Sequence, residues 1–190
     1  MPGARLATLL IALTAGACSS GGGGSVRERL DPQTATTVTL LAHPVELIAT
    51  TPSAMSAPGA RAGNSGSAPE PFAFLAPFET DRSGQRELFL WVAPPAGAGA
   101  AGQAQLTCDD APVAMTPVSA ELGSLGLSQA PYAAPTPWAD AWYYRIPDDA
   151  MRCLAQAHAI VLQLQSAAGM PVRFSAQSSH LAGLEAFERR

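Results

Sequence analysis

Beyond residue 35 the chain is written in short apolar stretches separated by Pro, Gly, Ser and Ala, a pattern of strands and turns more than of helices. Residues 36–42 and 45–50 are β-branched and apolar on either side of His43-Pro44. They predict two strands or one bent strand, broken at the proline because it has no N–H for a ladder. Residues 51–71 change to Pro, Ser, Gly and Ala around Asn64-Ser65-Gly66 and read as a long polar loop, the segment expected to be disordered. Residues 72–79 and 86–93 flank a turn-rich linker containing Ser83-Gly84, the clearest hairpin in the chain. In its second arm Leu88, Leu90 and Val92 alternate with Phe89, Trp91 and Ala93. Both faces are apolar, so this strand is expected at the centre of a sheet, covered on two sides.

After an Ala/Gly loop at 94–102, residues 103–108 and 112–118 form a second hairpin around Asp109-Asp110. Residues 119–137 are irregular, and 138–146 read as an aromatic strand. Asp148 and Asp149 place acids at the positive end of a helix, and Met151, Leu154, Ala155 and His158 recur at helical spacing, which predicts a helix over 148–158. Residues 160–165 alternate as a strand, turn at Ala168-Gly169-Met170-Pro171 and return over 172–176. A last helix over 179–188 carries Leu181, Leu184 and Phe187 on one side. Eight or nine short strands with two brief helices predict a mainly β fold: an antiparallel β-sandwich, with an α+β alternative in which helices cover one face of an antiparallel sheet.

The amino terminus follows a different pattern. Arg5 precedes ten apolar or small residues, 6–15, and Ala15-Gly16-Ala17 leads into Cys18 and a Ser/Gly run. A positive start, an apolar stretch and small residues before a cut are the parts of a secretory signal. The stretch is about half the roughly 20 apolar residues that a membrane span needs. Taken with the cysteine, the segment resembles a bacterial lipoprotein signal peptide. The resemblance covers about the first 20 residues and implies that Cys18 is the first residue of the mature chain, carrying a diacylglycerol thioether and a further acyl chain. Two or three chains make membrane attachment effectively permanent. Ser19 after the cysteine implies onward transport to the outer membrane of a Gram-negative cell, facing the periplasm. The expected organisation is a signal peptide over 1–17, a lipidated cysteine and flexible tether over 18–34, and a single β-rich domain over 35–190.

Composition narrows the chemistry. The chain has no lysine; all eleven basic residues are arginine. Schiff-base catalysis, a Ser-Lys dyad and a Walker P-loop each need the lysine amine and are excluded. Removal of the signal leaves ten Arg against fifteen acids with no basic run. Nucleic acid is therefore not an expected partner, since its affinity rests on phosphate neutralisation. With Cys18 acylated, Cys108 and Cys153 form an even pair, expected as a disulfide in an oxidising compartment. Two buried thiols or a metal site are the competing readings. No CxxC motif is present and His43, His158 and His180 share no ligand spacing, so neither a metal nor a cofactor is expected.

No Gly-x-Ser-x-Gly elbow marks a nucleophile. Asp109-Asp110 and Asp148-Asp149 are paired carboxylates that a disulfide could bring together as a calcium site, but turn and helix-cap duties explain both pairs. Trp138, Trp142 and Tyr144 share one face of a strand, as core or as a patch for a partner. The expectation is a lipid-anchored envelope protein with a binding or assembly-support role and no enzymatic activity, attached to the membrane by its lipid and in contact with another envelope protein. The alternative is an envelope hydrolase acting on peptidoglycan or another envelope polymer through scattered carboxylates.

Overall fold

The computed structural model describes residues 26–50, 72–95, 98–135, 140–176 and 181–190. The protein is mainly β; among the described residues all strand pairing is antiparallel and there are two short α-helices. The strands are β1 (Val26–Asp31), β2 (Thr36–Leu41), β3 (Val45–Ala49), β4 (Phe72–Arg82), β5 (Gln85–Ala93), β6 (Gln105–Cys108), β7 (Ala111–Pro112), β8 (Thr116–Val118), β9 (Trp142–Arg145), β10 (Ile160–Gln165) and β11 (Pro171–Ala176). The helices are α1 (Asp148–Gln156) and α2 (Ala182–Glu188). The strands are linked in one curled sheet in the order β7-β6-β10-β11-β3-β4-β5-β9-β8, so the layers expected of a sandwich belong to a single hydrogen-bonded surface.

Its centre is the long hairpin of β4 and β5. The turn is tighter than expected: Ser83 (φ 55°) and Gly84 (φ 83°) alone join the arms, a two-residue loop whose left-handed backbone matches the twist of the strands. Thr80, Asp81 and Arg82, polar enough to read as loop, pair instead with Glu87, Arg86 and Gln85. β5 is apolar on both faces because both are covered. Leu90 and Val92 join a core closed by α1 and α2, whereas Phe89, Trp91 and Ala93 join a second core closed by residues 122–132.

The bent strand at His43-Pro44 is β2 followed by β3, both along one edge of β4. Leu40 pairs with Phe78 and Val45 with Leu75, so residues 41–44 lie opposite only residues 76–77. This bulge would orphan buried backbone groups. The Tyr132 hydroxyl repairs it by accepting the Leu41 N–H at 2.9 Å and donating to the Pro77 carbonyl at 2.5 Å. Burial pushes the Tyr132 hydroxyl pKa up, so it remains a donor.

The expected tether is corrected at its far end. Residues 26–31 are not free chain but β1, antiparallel to β2 from Val26↔Leu41 to Asp31↔Thr36. The charges of Arg27, Glu28 and Arg29 hid it, since an edge strand with little buried surface needs no apolar alternation. Its one buried residue is Asp31, whose carboxylate takes the Ser128 N–H and Oγ–H at 2.6 Å each and the Gln33 N–H at 3.1 Å. Arg29 reaches the same loop, donating to the Ala130 carbonyl at 2.8 Å. β7 and β8 end the sheet, each carrying a proline, Pro112 and Pro117, that blunts the edge.

Candidate functional site

Period-two alternation along β4 puts Ala73, Leu75, Pro77 and Glu79 on the face that the helices cover. Ala73 and Leu75 are core; Glu79 lies where that face runs out past the N-terminus of α1 and the C-terminus of α2. There a cleft of about 380 Å³ opens, lined by Glu79, Arg86, Leu88, Asp148, Arg152 and Arg190 among others. Glu79 pairs with Leu88 across the hairpin, which brings Arg86, two residues from Leu88 on the same face, onto its carboxylate.

The geometry is a fork. Arg86 Nε donates to Glu79 Oε1 at 2.8 Å and Arg86 Nη2 to Oε2 at 2.7 Å. Arg190, just past α2, adds a third approach at 3.1 Å to Oε2 and lays its guanidinium 4.5 Å from the Phe187 ring centroid. The Glu79 carboxylate raises the pKa of Arg86 above its already high ordinary value, so the guanidinium keeps its charge. Beside them Glu87 bonds Arg145 at 2.8 Å. Among the described residues the cleft lining contains no Ser, Thr, Cys or His, so it offers no nucleophile of those types. What it can do is recognise charged groups through Arg152, Asp148 and Glu188 at its rim, over an apolar floor of Leu88, Met151 and Phe187.

Glu79, Arg86 and Arg190 were not singled out by the sequence. The one available signal was Glu79 continuing the inward face of Leu75, an acid where alternation calls for an apolar residue. Cys108 and Cys153 stand at disulfide distance, Cα atoms 6.1 Å apart, tying the end of β6 to α1. Asp109 and Asp110 do not meet Asp148 and Asp149 as a calcium site. Asp109 and Asp110 (φ 46° and 66°) form the two-residue β6–β7 turn, and the Asp109 carboxylate accepts the Ala159 N–H at 2.8 Å and the His158 N–H at 3.0 Å. Those backbone donors, Ala159 foremost, lower its pKa. Asp149 accepts the Ala150 N–H at the start of α1. Among the described residues no His, Cys, Asp or Glu cluster could hold a metal ion.

The aromatic stripe divides. Tyr144 is 1% exposed, packed in the helix-covered core with its hydroxyl donating to the Ala101 carbonyl at 2.7 Å, which corrects its assignment to a partner patch. Trp142 is half-buried against the same core, and Trp138 lies outside the described residues. His158 is exposed, 3.4 Å from Asp109 Oδ2; His43 is exposed in the bulge; His180 lies outside the described residues. So do residues 1–17, expected as a signal peptide, Cys18, and residues 51–71, expected as a long polar loop. Among the described residues no helix is long and apolar enough to cross a membrane. The described residues thus form a mainly β domain with a charged cleft. No family model, curated protein or solved structure matches the chain.

Proposed function

We propose that the protein is a lipid-anchored component of a bacterial cell envelope, held at the outer membrane and facing the periplasm, with a binding or assembly-support role and no enzymatic activity. The observation that carries the anchoring is the order Arg5, apolar 6–15, Ala15-Gly16-Ala17-Cys18. Two features of the folded domain are consistent with it. Cys108 and Cys153 at disulfide distance suit an oxidising compartment. The first strand begins at Val26, so only residues 19–25 separate the domain from Cys18.

Support for a binding role comes from the cleft. Two of its carboxylates are held by guanidinium donors, Glu79 through both oxygens and Glu87 through Oε1, an arrangement suited to fixing charge for recognition. The partner is an envelope protein with charged groups complementary to Arg152, Asp148 and Glu188.

Cys18→Ser tests the anchor. Intact-mass analysis of the native protein is expected to show two or three acyl chains on Cys18, and the variant is expected to move from the membrane pellet to the soluble fraction. A native chain with a free Cys18 thiol overturns the reading. For the binding role, a photo-crosslinking residue at Arg152 is expected to trap one discrete envelope protein in intact cells, and Asp148→Arg to abolish that adduct. Adducts unchanged by the charge reversal count against the cleft.

A further inference from the structure

Among the described residues the sheet ends in three edge strands, β7, β8 and β1, and they are built differently. β7 and β8 are two and three residues long and carry Pro112 and Pro117. β1 is six residues long, contains neither proline nor glycine, and pairs with β2 without interruption from Val26↔Leu41 to Asp31↔Thr36. Its other side pairs with no described strand. In an antiparallel pair every second residue turns its N–H and C=O away from its partner, so β1 presents a row of backbone donors and acceptors along that side.

This edge is held in place from behind. Asp31 is bonded to Ser128, Arg29 donates to the Ala130 carbonyl at 2.8 Å and to the Gln129 carbonyl at 3.2 Å, and Val26 packs against the helix-covered core. Arg27, Glu28 and Leu30 remain exposed, Leu30 at 65%. Neither Arg27 nor Glu28 forms an ion pair among the described residues.

A second copy of the chain does not suit this edge. Two antiparallel strands related by a two-fold axis are centred on one residue, which then faces its own copy. The central residues of β1 are Arg27, Glu28 and Arg29, so each such register sets like charge directly against like charge, which is destabilising. The charges nonetheless alternate in sign, with an exposed leucine beside them, and a different strand can match that order. We propose that the outer edge of β1 is a docking site for an extended segment of another protein, which joins the sheet as an antiparallel strand. Its residue opposite Leu30 is apolar, that opposite Glu28 basic and that opposite Arg27 acidic, so the segment reads apolar, any, basic, acidic from its N-terminus. Main-chain hydrogen bonds supply the hold and the two charge pairs supply the selection. Because β1 is already extended and fixed, only the incoming segment loses conformational freedom. The inference rests on neither the lipid anchor nor the cleft.

The test uses the full chain and two fluorescently labelled peptides, Thr-Val-Thr-Lys-Glu-Val and its charge-swapped form Thr-Val-Thr-Glu-Lys-Val, read by anisotropy. The first is expected to bind about ten-fold more tightly, since two cross-strand ion pairs replace two like-charge pairs. The double variant Arg27→Glu, Glu28→Arg keeps the net charge and is expected to invert the preference, its thermal melt being compared with that of the parent. The first peptide is expected to slow amide exchange over 26–31 in the parent and to leave 160–165 unchanged. Equal affinity of the two peptides for the parent, or no saturable binding of either up to about 1 mM, overturns the proposal. So does exchange at the outward β1 amides that is already slow in the dilute free protein, because the chain then covers its own edge. Exchange there that slows with protein concentration alone makes the occupant a second copy and overturns it as well.

Discussion

Ser128 commits both of its donors, backbone N–H and side-chain Oγ–H, to the carboxylate of Asp31, each at 2.6 Å. The two residues are 97 apart in sequence, and their meeting closes β1 onto the loop that covers the second core. These bonds, the side-chain one foremost, lower the Asp31 pKa from 3.8 to about 2. A carboxylate more acidic in the folded chain than in the unfolded one stabilises fully above the unfolded value, and that contribution disappears as pH falls from about 4 to about 2. Asp31→Asn should therefore lower Tm at pH 7 and differ progressively less from the parent chain below pH 4. Thermal melts across that range check this; a gap independent of pH would count against it.

Tyr132→Phe removes one oxygen and leaves two buried backbone groups, Leu41 N–H and Pro77 C=O, without this partner. The expected loss is about 1–3 kcal/mol, measured by denaturant unfolding at constant m. The ring still packs on Trp91, with centroids 5.1 Å apart, so the fold should persist.

Reduction probes the link from β6 to α1. Cys108→Ala with Cys153→Ala should cost about 2–5 kcal/mol, and the unreduced parent should show no titratable thiol at either position when unfolded. Two free thiols there would remove the bridge.

Glu79→Gln weakens the hold on Arg86 and Arg190 together. Both arginines are partly exposed, so the expected cost is only about 1 kcal/mol. The sharper readout is local. Amide exchange in α2, whose C-terminal extension Arg190 pins to β4, should quicken while the β10–β11 amides stay unchanged.

Elements whose own residues sufficed were legible in the sequence. Alternation of Ile160, Leu162 and Leu164 set β10 to the residue, and the spacing of Met151, Leu154 and Ala155 set the buried face of α1. β5 was correctly read as central because a strand apolar on both sides must be covered on both sides. β1 was missed because Arg27, Glu28 and Arg29 carry no core signal; its place depends on Asp31 meeting Ser128 and on Arg29 meeting Ala130. The pairing of Trp142 and Tyr144 on one face was right, but only the covering helices decide that this face is interior.

The sequence by itself determined the alternation of strands and turns, the absence of lysine chemistry and the resemblance of residues 1–20 to a lipoprotein signal. Each is a property of neighbours along the chain, fixed by local sterics, hydrophobic period or composition. Tertiary structure alone decided the curl of the sheet, the repair of the bulge by Tyr132 and the assembly of Glu79, Arg86 and Arg190 from β4, β5 and the end of α2. Those features depend on which distant side chains arrive at the same place, and long-range strand register decides that.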